Sequence, residues 1–352
     1  MFGKMMNNYY YGKSGKGDFK KDDLPQNRWQ LFWDMLRTRL SGLCRMNLTV
    51  FAAWLPLIIL LGYNVLSLIN WMGVVNTYSE YLQTGELGEY LTMEAVGALQ
   101  ELMAGREPAQ FLADLITESI PSLCLWCIPC ILITGPVQAG MAYVTRNWAR
   151  DEHAFVWSDM KDAMKENWKP ALGLSAITSV IPLLAWTCWQ FYGGMAATNW
   201  IMTIPQMFTL MIAIIWFLAI TYAYPMLVTY KMSFGTIIRN SLLLAIGRLP
   251  MSVGIRLLHL VPTILCLALT FLLGSIWIPV ALFGYYMLIG FTLSRFVTAS
   301  YTNAQFDKFI NNRIEGAEVG RGLAEEDDED YEEEEEEREL KPWENGYVSQ
   351  DK

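Results

Sequence analysis

The stretch CLWCIPC places Cys124, Cys127 and Cys130 three residues apart. A C-x-x-C-x-x-C run can hold a metal or cycle between thiol and disulfide. Here no histidine or acid interrupts it, and helical steps of three spread the sulfurs over a drifting face. Small, polarizable packing residues inside an apolar run are the favoured reading. The chain has only two histidines, His153 and His259, which excludes a multi-histidine metal site. No long apolar run contains an acid, so a Ser-His-Asp arrangement has nothing to draw on. The expectation is therefore no catalytic residues, no metal, no cofactor and no nucleic-acid partner.

Two constellations carry more weight. In GPVQAG, residues 135–140, Gly135, Pro136, Gln138 and Gly140 fall in one apolar run that also holds Pro121 and Pro129. Three prolines predict a kinked or discontinuous helix, which can open backbone groups to a cavity. Arg256 and His259 stand one helical turn apart at the start of another apolar run. Ionisable groups at that depth are functional suspects. Arg256 lies six residues beyond Pro250, so snorkelling to the surface as an interfacial anchor is favoured over a ligand contact. Asn64, Gln190 and Gln206 are the remaining polar side chains near these runs, and bonds between helices suit them best.

The segment DEHAFVWSDMKDAMKENWKP, residues 151–170, reads differently. Trp157, Met160, Met164 and Trp168 form one apolar stripe at 3.6-residue spacing, with Lys161, Lys165, Lys169, Asp162 and Glu166 on the other faces. Ser158 is the expected N-cap, and Pro170 the expected stop. Such a helix lies flat in the headgroup region, or packs its stripe on the cytoplasmic ends of the spans, and the stripe is also a candidate for docking a partner. A similar element, SFGTIIRNSLLLAIGRLP at 233–250, also precedes an apolar run. The order span, surface helix, proline, span thus occurs twice, over 120–191 and 207–273, as a weak internal repeat. A third amphipathic stretch, RWQLFWDMLRTRLSGL, puts Trp29, Phe32, Trp33, Leu36, Leu40 and Leu43 on one face before the first run.

These elements are set by a bilayer. Of 352 residues, 53% are hydrophobic and 17% charged, and the charges avoid six long stretches. Spans are expected at 48–68, 120–144, 171–191 and 207–228, each long enough to cross about 30 Å of hydrocarbon at 1.5 Å per residue. The uncharged stretch 257–294 would extend about 57 Å as one helix. Gly274–Ser275 therefore splits it into a hairpin, 257–273 and 276–293. No cleavable signal pattern is expected, because the first apolar run begins near residue 48. The six cysteines do not form the disulfide framework of a small secreted domain.

Lysine and arginine orient the spans. Residues 1–47 carry nine, the 69–119 loop only Arg106, and alternate loops together hold 25 of the 26. Both termini are expected in the cytoplasm. Trp186, Trp189, Tyr192, Trp200 and Trp277 should mark the outer interface, and Trp148 and Tyr230 the inner one. The 69–119 loop, with eight acids, reads as a small helical cap outside the membrane. The net charge of −9 reflects twelve acids among residues 325–337, within a tail expected to be disordered from about 316.

Four segments carry a resemblance. They are LFWDMLRTRLSGLCRMNLTVFAAWLP, GPVQAGMAYVTRNWARDEHAFVWSDMKDAMKENWKPAL, RNSLLLAIGRLP and RFVTASYTNAQFDKFIN. Together they resemble the YesL-like family of bacterial integral membrane proteins, a domain of unknown function, over residues 27–314. The resemblance implies a six-span protein of the bacterial inner membrane, discussed alongside carbohydrate uptake. It supplies no functional residues.

The expected fold is therefore all-α: a polytopic membrane protein of six transmembrane helices with cytoplasmic interfacial helices. The segments are a cytoplasmic N-terminal part (1–47), a membrane domain (48–294) and a cytoplasmic C-terminal part (295–352). The expected function is non-enzymatic. It is that of an accessory or regulatory component of carbohydrate transport, touching a transport or regulatory protein at the cytoplasmic face. The alternative is a transporter or permease subunit that moves a small solute itself.

Overall fold

A computed structural model describes residues 25–87, 92–314 and 316–323. The first 24 residues and the acidic run at 325–337 lie outside the described residues. The described chain is helical: α1 Arg28–Thr84, α2 Met93–Met103, α3 Pro108–Trp148, α4 Ser158–Ala196, α5 Thr203–Thr229, α6 Phe234–Gly247, α7 Leu249–Leu273, α8 Trp277–Tyr285 and α9 Phe291–Phe309. A π-turn, Tyr286–Gly290, joins α8 to α9.

Six stretches are long and apolar enough to cross a membrane: Arg28–Thr84, Pro108–Trp148, Ser158–Ala196, Trp200–Thr229, Leu249–Leu273 and Trp277–Arg313. Their outward faces are apolar, with Ile59, Leu66, Phe271 and Trp277 all exposed. Water would penalise such a surface, whereas hydrocarbon accepts it and demands that the backbone be satisfied internally, as it is in a helix. The chain is thus a multi-pass membrane protein built from helices.

The helices run further than the apolar pattern suggested. α1 continues from the amphipathic stretch straight through the first apolar run for 57 residues. α4 likewise joins its amphipathic foot to the third run, with Pro170 inside the helix and no stop there. Ser158 is the first helical residue and makes no cap. Instead Asp159 Oδ2 accepts from Phe155 N–H at 2.9 Å, holding the entry turn. The second amphipathic element remains separate. Ser233 caps α6 by accepting from Thr236 N–H at 3.3 Å, and Pro250 sits at the first turn of α7. The two copies of the repeat pattern therefore differ at this joint. α7 ends at Gly274, whose φ of +63° suits a residue without Cβ.

The described residues divide into two compact units, one within 39–303 and one formed by those of 25–38 and 304–323. Within 39–303 the tightest packing gathers at one end of the bundle. Ala139, Met141, Val144, Trp148, Leu174, Tyr222 and Met226 are buried there. Trp148, expected at the lipid interface, is instead a core residue: Gly42 lies against its ring, and its Nε1–H donates to Ala154 O at 3.1 Å. A second cluster at the other end joins Val75 and Tyr78 of α1, Val96, Leu99 and Met103 of α2, and Phe111 of α3. Arg106 Nη1 pairs with Asp114 at 3.1 Å beside it. In the smaller unit Asp307 is the hub. It pairs with Arg28 and accepts from Asn311 Nδ2 at 2.5 Å and Gly320 N–H at 3.2 Å.

Asn47 ties α1 to the irregular π-turn. Its Nδ2 donates to the carbonyls of Tyr286 and Met287, both at 2.8 Å, and its Oδ1 accepts from Thr292 N–H at 3.0 Å. A wider turn leaves backbone groups without regular helical partners, and in hydrocarbon a side chain must supply them. Asn47→Leu should therefore lower stability by on the order of 1–2 kcal/mol. Thermal unfolding in detergent would show a reduced midpoint, and an unchanged midpoint would contradict this role for Asn47.

Candidate functional site

α3 and α4 form the scaffold of the site. α3 passes through Pro121, Pro129 and Pro136 as one unbroken helix. The expected discontinuity is absent because transmembrane packing tolerates the lost hydrogen bonds. The glycines of GPVQAG serve close approach instead. A Cβ on Gly135 would lie 2.6 Å from Ala171 O, and one on Gly140 would lie 2.7 Å from Met160 O and 2.6 Å from Met164 Cγ. Ser175 Oγ adds a bond across the pair, donating to Leu132 O at 3.0 Å. Small residues let the two backbones come together where lipid gives no hydrophobic drive.

This contact splits the stripe on the foot of α4. Met160 is buried and Met164 half-buried against Gly140, whereas Trp157 and Trp168 are 64% and 48% exposed. Phe155 is exposed beside Trp157, and the Lys169 ammonium lies 5.6 Å from the Trp168 ring. The methionines thus fix the helix, leaving the tryptophans for lipid or a partner.

Between Gly135 and Gly140, Gln138 points the other way. Its Oε1 accepts from Arg295 Nη2 of α9. The Arg295 guanidinium also lies 5.4 Å from the Tyr224 ring of α5. Arg256 of α7 lies 4.3 Å over the Phe217 ring of α5. One turn along α7, His259 Nε2 meets Thr298 Oγ1 of α9 at 3.4 Å. Below this group Tyr222 OH bonds Ser252 Oγ at 2.7 Å and Tyr301 OH at 2.9 Å. Gln138, Tyr224, Arg256, His259 and Arg295 thus face one another's helices, α3, α5, α7 and α9, as a polar group among apolar spans. Arg256 does not snorkel freely: its Nε and Nη2 are buried and without hydrogen-bond partners among the described residues.

The sequence does not single out Arg295, because it is the first residue past the uncharged stretch and reads as part of a basic flank. A signal was present nonetheless. A hairpin bounded by Arg256 and Arg295 must bring its two ends to one depth. Phe217, Tyr224 and Thr298 gave no separate signal in their apolar runs.

The other sequence features stay apart from this cluster. Cys124, Cys127 and Cys130 are free and half-buried. No group of three or more His, Cys, Asp or Glu that could hold a metal occurs among the described residues. A groove of about 540 Å³ is lined by Trp200, Thr203, Ile204, Met207, Phe208 and Met211. It lies toward the start of α5, roughly 25 Å along the helix from Tyr224, and its apolar lining suits acyl chains.

Residues 120–187 match the family described as "Protein of unknown function, DUF624". This is the YesL-like family of membrane proteins that the sequence resembles. The matched segment is the apolar part of α3 with most of α4, so the glycine contacts and Gln138 lie inside it, and Arg256 and Arg295 lie beyond it. No curated protein and no solved structure matches the chain.

Gly140→Val should separate α3 from α4 and destabilise the bundle by about 1–3 kcal/mol. Gly62→Val, where an added Cβ meets nothing within 4 Å, should change stability little. Parallel thermal unfolding of both variants in detergent checks this. Equal midpoints would show that the close approach at Gly140 is not needed.

Proposed function

We propose that this protein is a non-enzymatic component of a bacterial transport system, seated in the cytoplasmic membrane with both termini inside. It assists or regulates the system by contact at its cytoplasmic face. The observation that carries the proposal is the foot of α4. Met160 and Met164 are used in packing, while Trp157, Trp168 and Phe155 are left exposed on a lysine-bearing element. Large aromatics are favoured anchors at protein interfaces. The intramembrane cluster supports a binding rather than a bond-making role. It offers guanidinium and amide donors, which suit holding a polar or anionic group. Carbohydrate as the transported class comes from the family resemblance.

The second reading is that the protein moves a small solute itself. The pair Arg256 and Arg295, held among four spans, favours it, because charge at that depth commonly lines a pathway. Solute flux into liposomes containing the purified protein alone would select this reading.

Photo-crosslinking residues placed at Trp157 and Trp168 in native membranes test the first reading. The expected adducts are subunits of a transport system, absent from a control at the exposed Leu66. Lipid adducts alone at all three positions would overturn it.

A further inference from the structure

Among the described residues no Asp or Glu forms an ion pair with Arg256 or Arg295. No Asp or Glu occurs anywhere between residues 167 and 306, a stretch that contains Lys169, Lys231, Arg239, Arg248, Arg256 and Arg295. The acids of the neighbouring α3, Asp114 and Glu118, lie in its first turns, some 30 Å along the helix from Gln138. Both guanidiniums lie against rings of α5, Arg256 at Phe217 and Arg295 at Tyr224 two turns further on, and α7 meets α9 where His259 Nε2 lies 3.4 Å from Thr298 Oγ1.

Two like charges brought together in an apolar bundle are held there at a cost, yet each is positioned by built contacts. The Arg256 guanidinium carbon lies 4.3 Å from the centroid of the Phe217 ring. Gln138 and the Tyr224 ring hold Arg295. The Arg256 donors Nε and Nη2 remain buried and unpartnered among the described residues. Buried donors of this kind call for an acceptor, and guanidinium offers its N–H groups in a planar fork that matches an oxyanion.

We propose that Arg256 and Arg295 form a binding site for a phosphate group. A phosphate carries about −1.5 to −2 charges near neutral pH, enough to compensate both guanidiniums. A single carboxylate would leave one of them uncompensated. Arg256 contributes its Nε and Nη2 donors, and Arg295 contributes the donors not engaged by Gln138. His259 and Thr298 meet between α7 and α9, each one turn from one of the two arginines. The phosphate belongs either to a soluble phosphorylated compound or to the headgroup of an anionic lipid entering from the bilayer. The site does not depend on which reading of function holds, since a regulator and a carrier could each use it.

The test uses the full-length protein purified in a neutral detergent, at fixed ionic strength set with chloride. One arm titrates inorganic phosphate by calorimetry. The other adds phosphatidylglycerol to the micelles and counts bound lipid by native mass spectrometry. Saturable binding is expected in at least one arm. Binding in the first arm identifies free phosphate as sufficient, and binding only in the second identifies the lipid headgroup. Arg256→Gln and Arg295→Gln should each weaken it at least about tenfold, equivalent to 1.4 kcal/mol. Arg37→Gln, at an exposed position on α1, should leave it unchanged. Arg256→Lys keeps the charge but loses the fork, and should weaken binding less than Arg256→Gln while preserving the fold. Absence of binding in both arms would overturn the proposal, as would wild-type affinity in the folded Arg256 variants.

Discussion

Hydrocarbon cannot solvate an unpaired charge or an open backbone, and the rest of this structure follows from that constraint. It confines the backbone to helices and strips the spans of acids. It also makes every irregular turn a debt to a side chain. The Asn47 contacts with Tyr286, Met287 and Thr292 answer that demand at the π-turn. Thr and Ser hydroxyls satisfy their own donors by bonding back to their helices, as Thr145 does to Met141 O at 2.8 Å.

Because lipid is as apolar as the side chains it meets, burial alone does not hold the spans together. Close backbone approach does so at α3 and α4, where Gly135 meets Ala171 and Gly140 meets Met160. Between the two glycines α3 carries Gln138, whose Oε1 accepts from Arg295 Nη2. The helix pair that gives the bundle its tightest joint therefore also aims one polar side chain at the cationic cluster.

The six apolar runs were legible because length and charge exclusion are strong, one-dimensional signals. Gly274 and the hairpin it closes were equally plain, since 38 uncharged residues cannot cross once as a helix. Helix ends were harder to read. Pro170 looks like a stop, yet α4 runs through it, because a proline costs a helix only local hydrogen bonds that neighbouring groups can absorb. Trp148 looked interfacial because its type favours that place, whereas tertiary packing against Gly42 draws it inside. At the site, Gln138, Arg256 and His259 stood out as polar residues in greasy surroundings. Arg295 does not, because its partners Gln138 and Tyr224 lie 157 and 71 residues away in the chain, and only the folded bundle brings them together.

The central claim is that the apolar helices thread a bilayer six times with the cationic loops on one side. Its most direct test places single cysteines, in a chain whose six native cysteines are replaced by serine, beside Arg106 and at the carboxyl end. A membrane-impermeant thiol reagent added outside intact cells should label the first and reach the second only after permeabilisation. Equal labelling of both from one compartment would contradict the account.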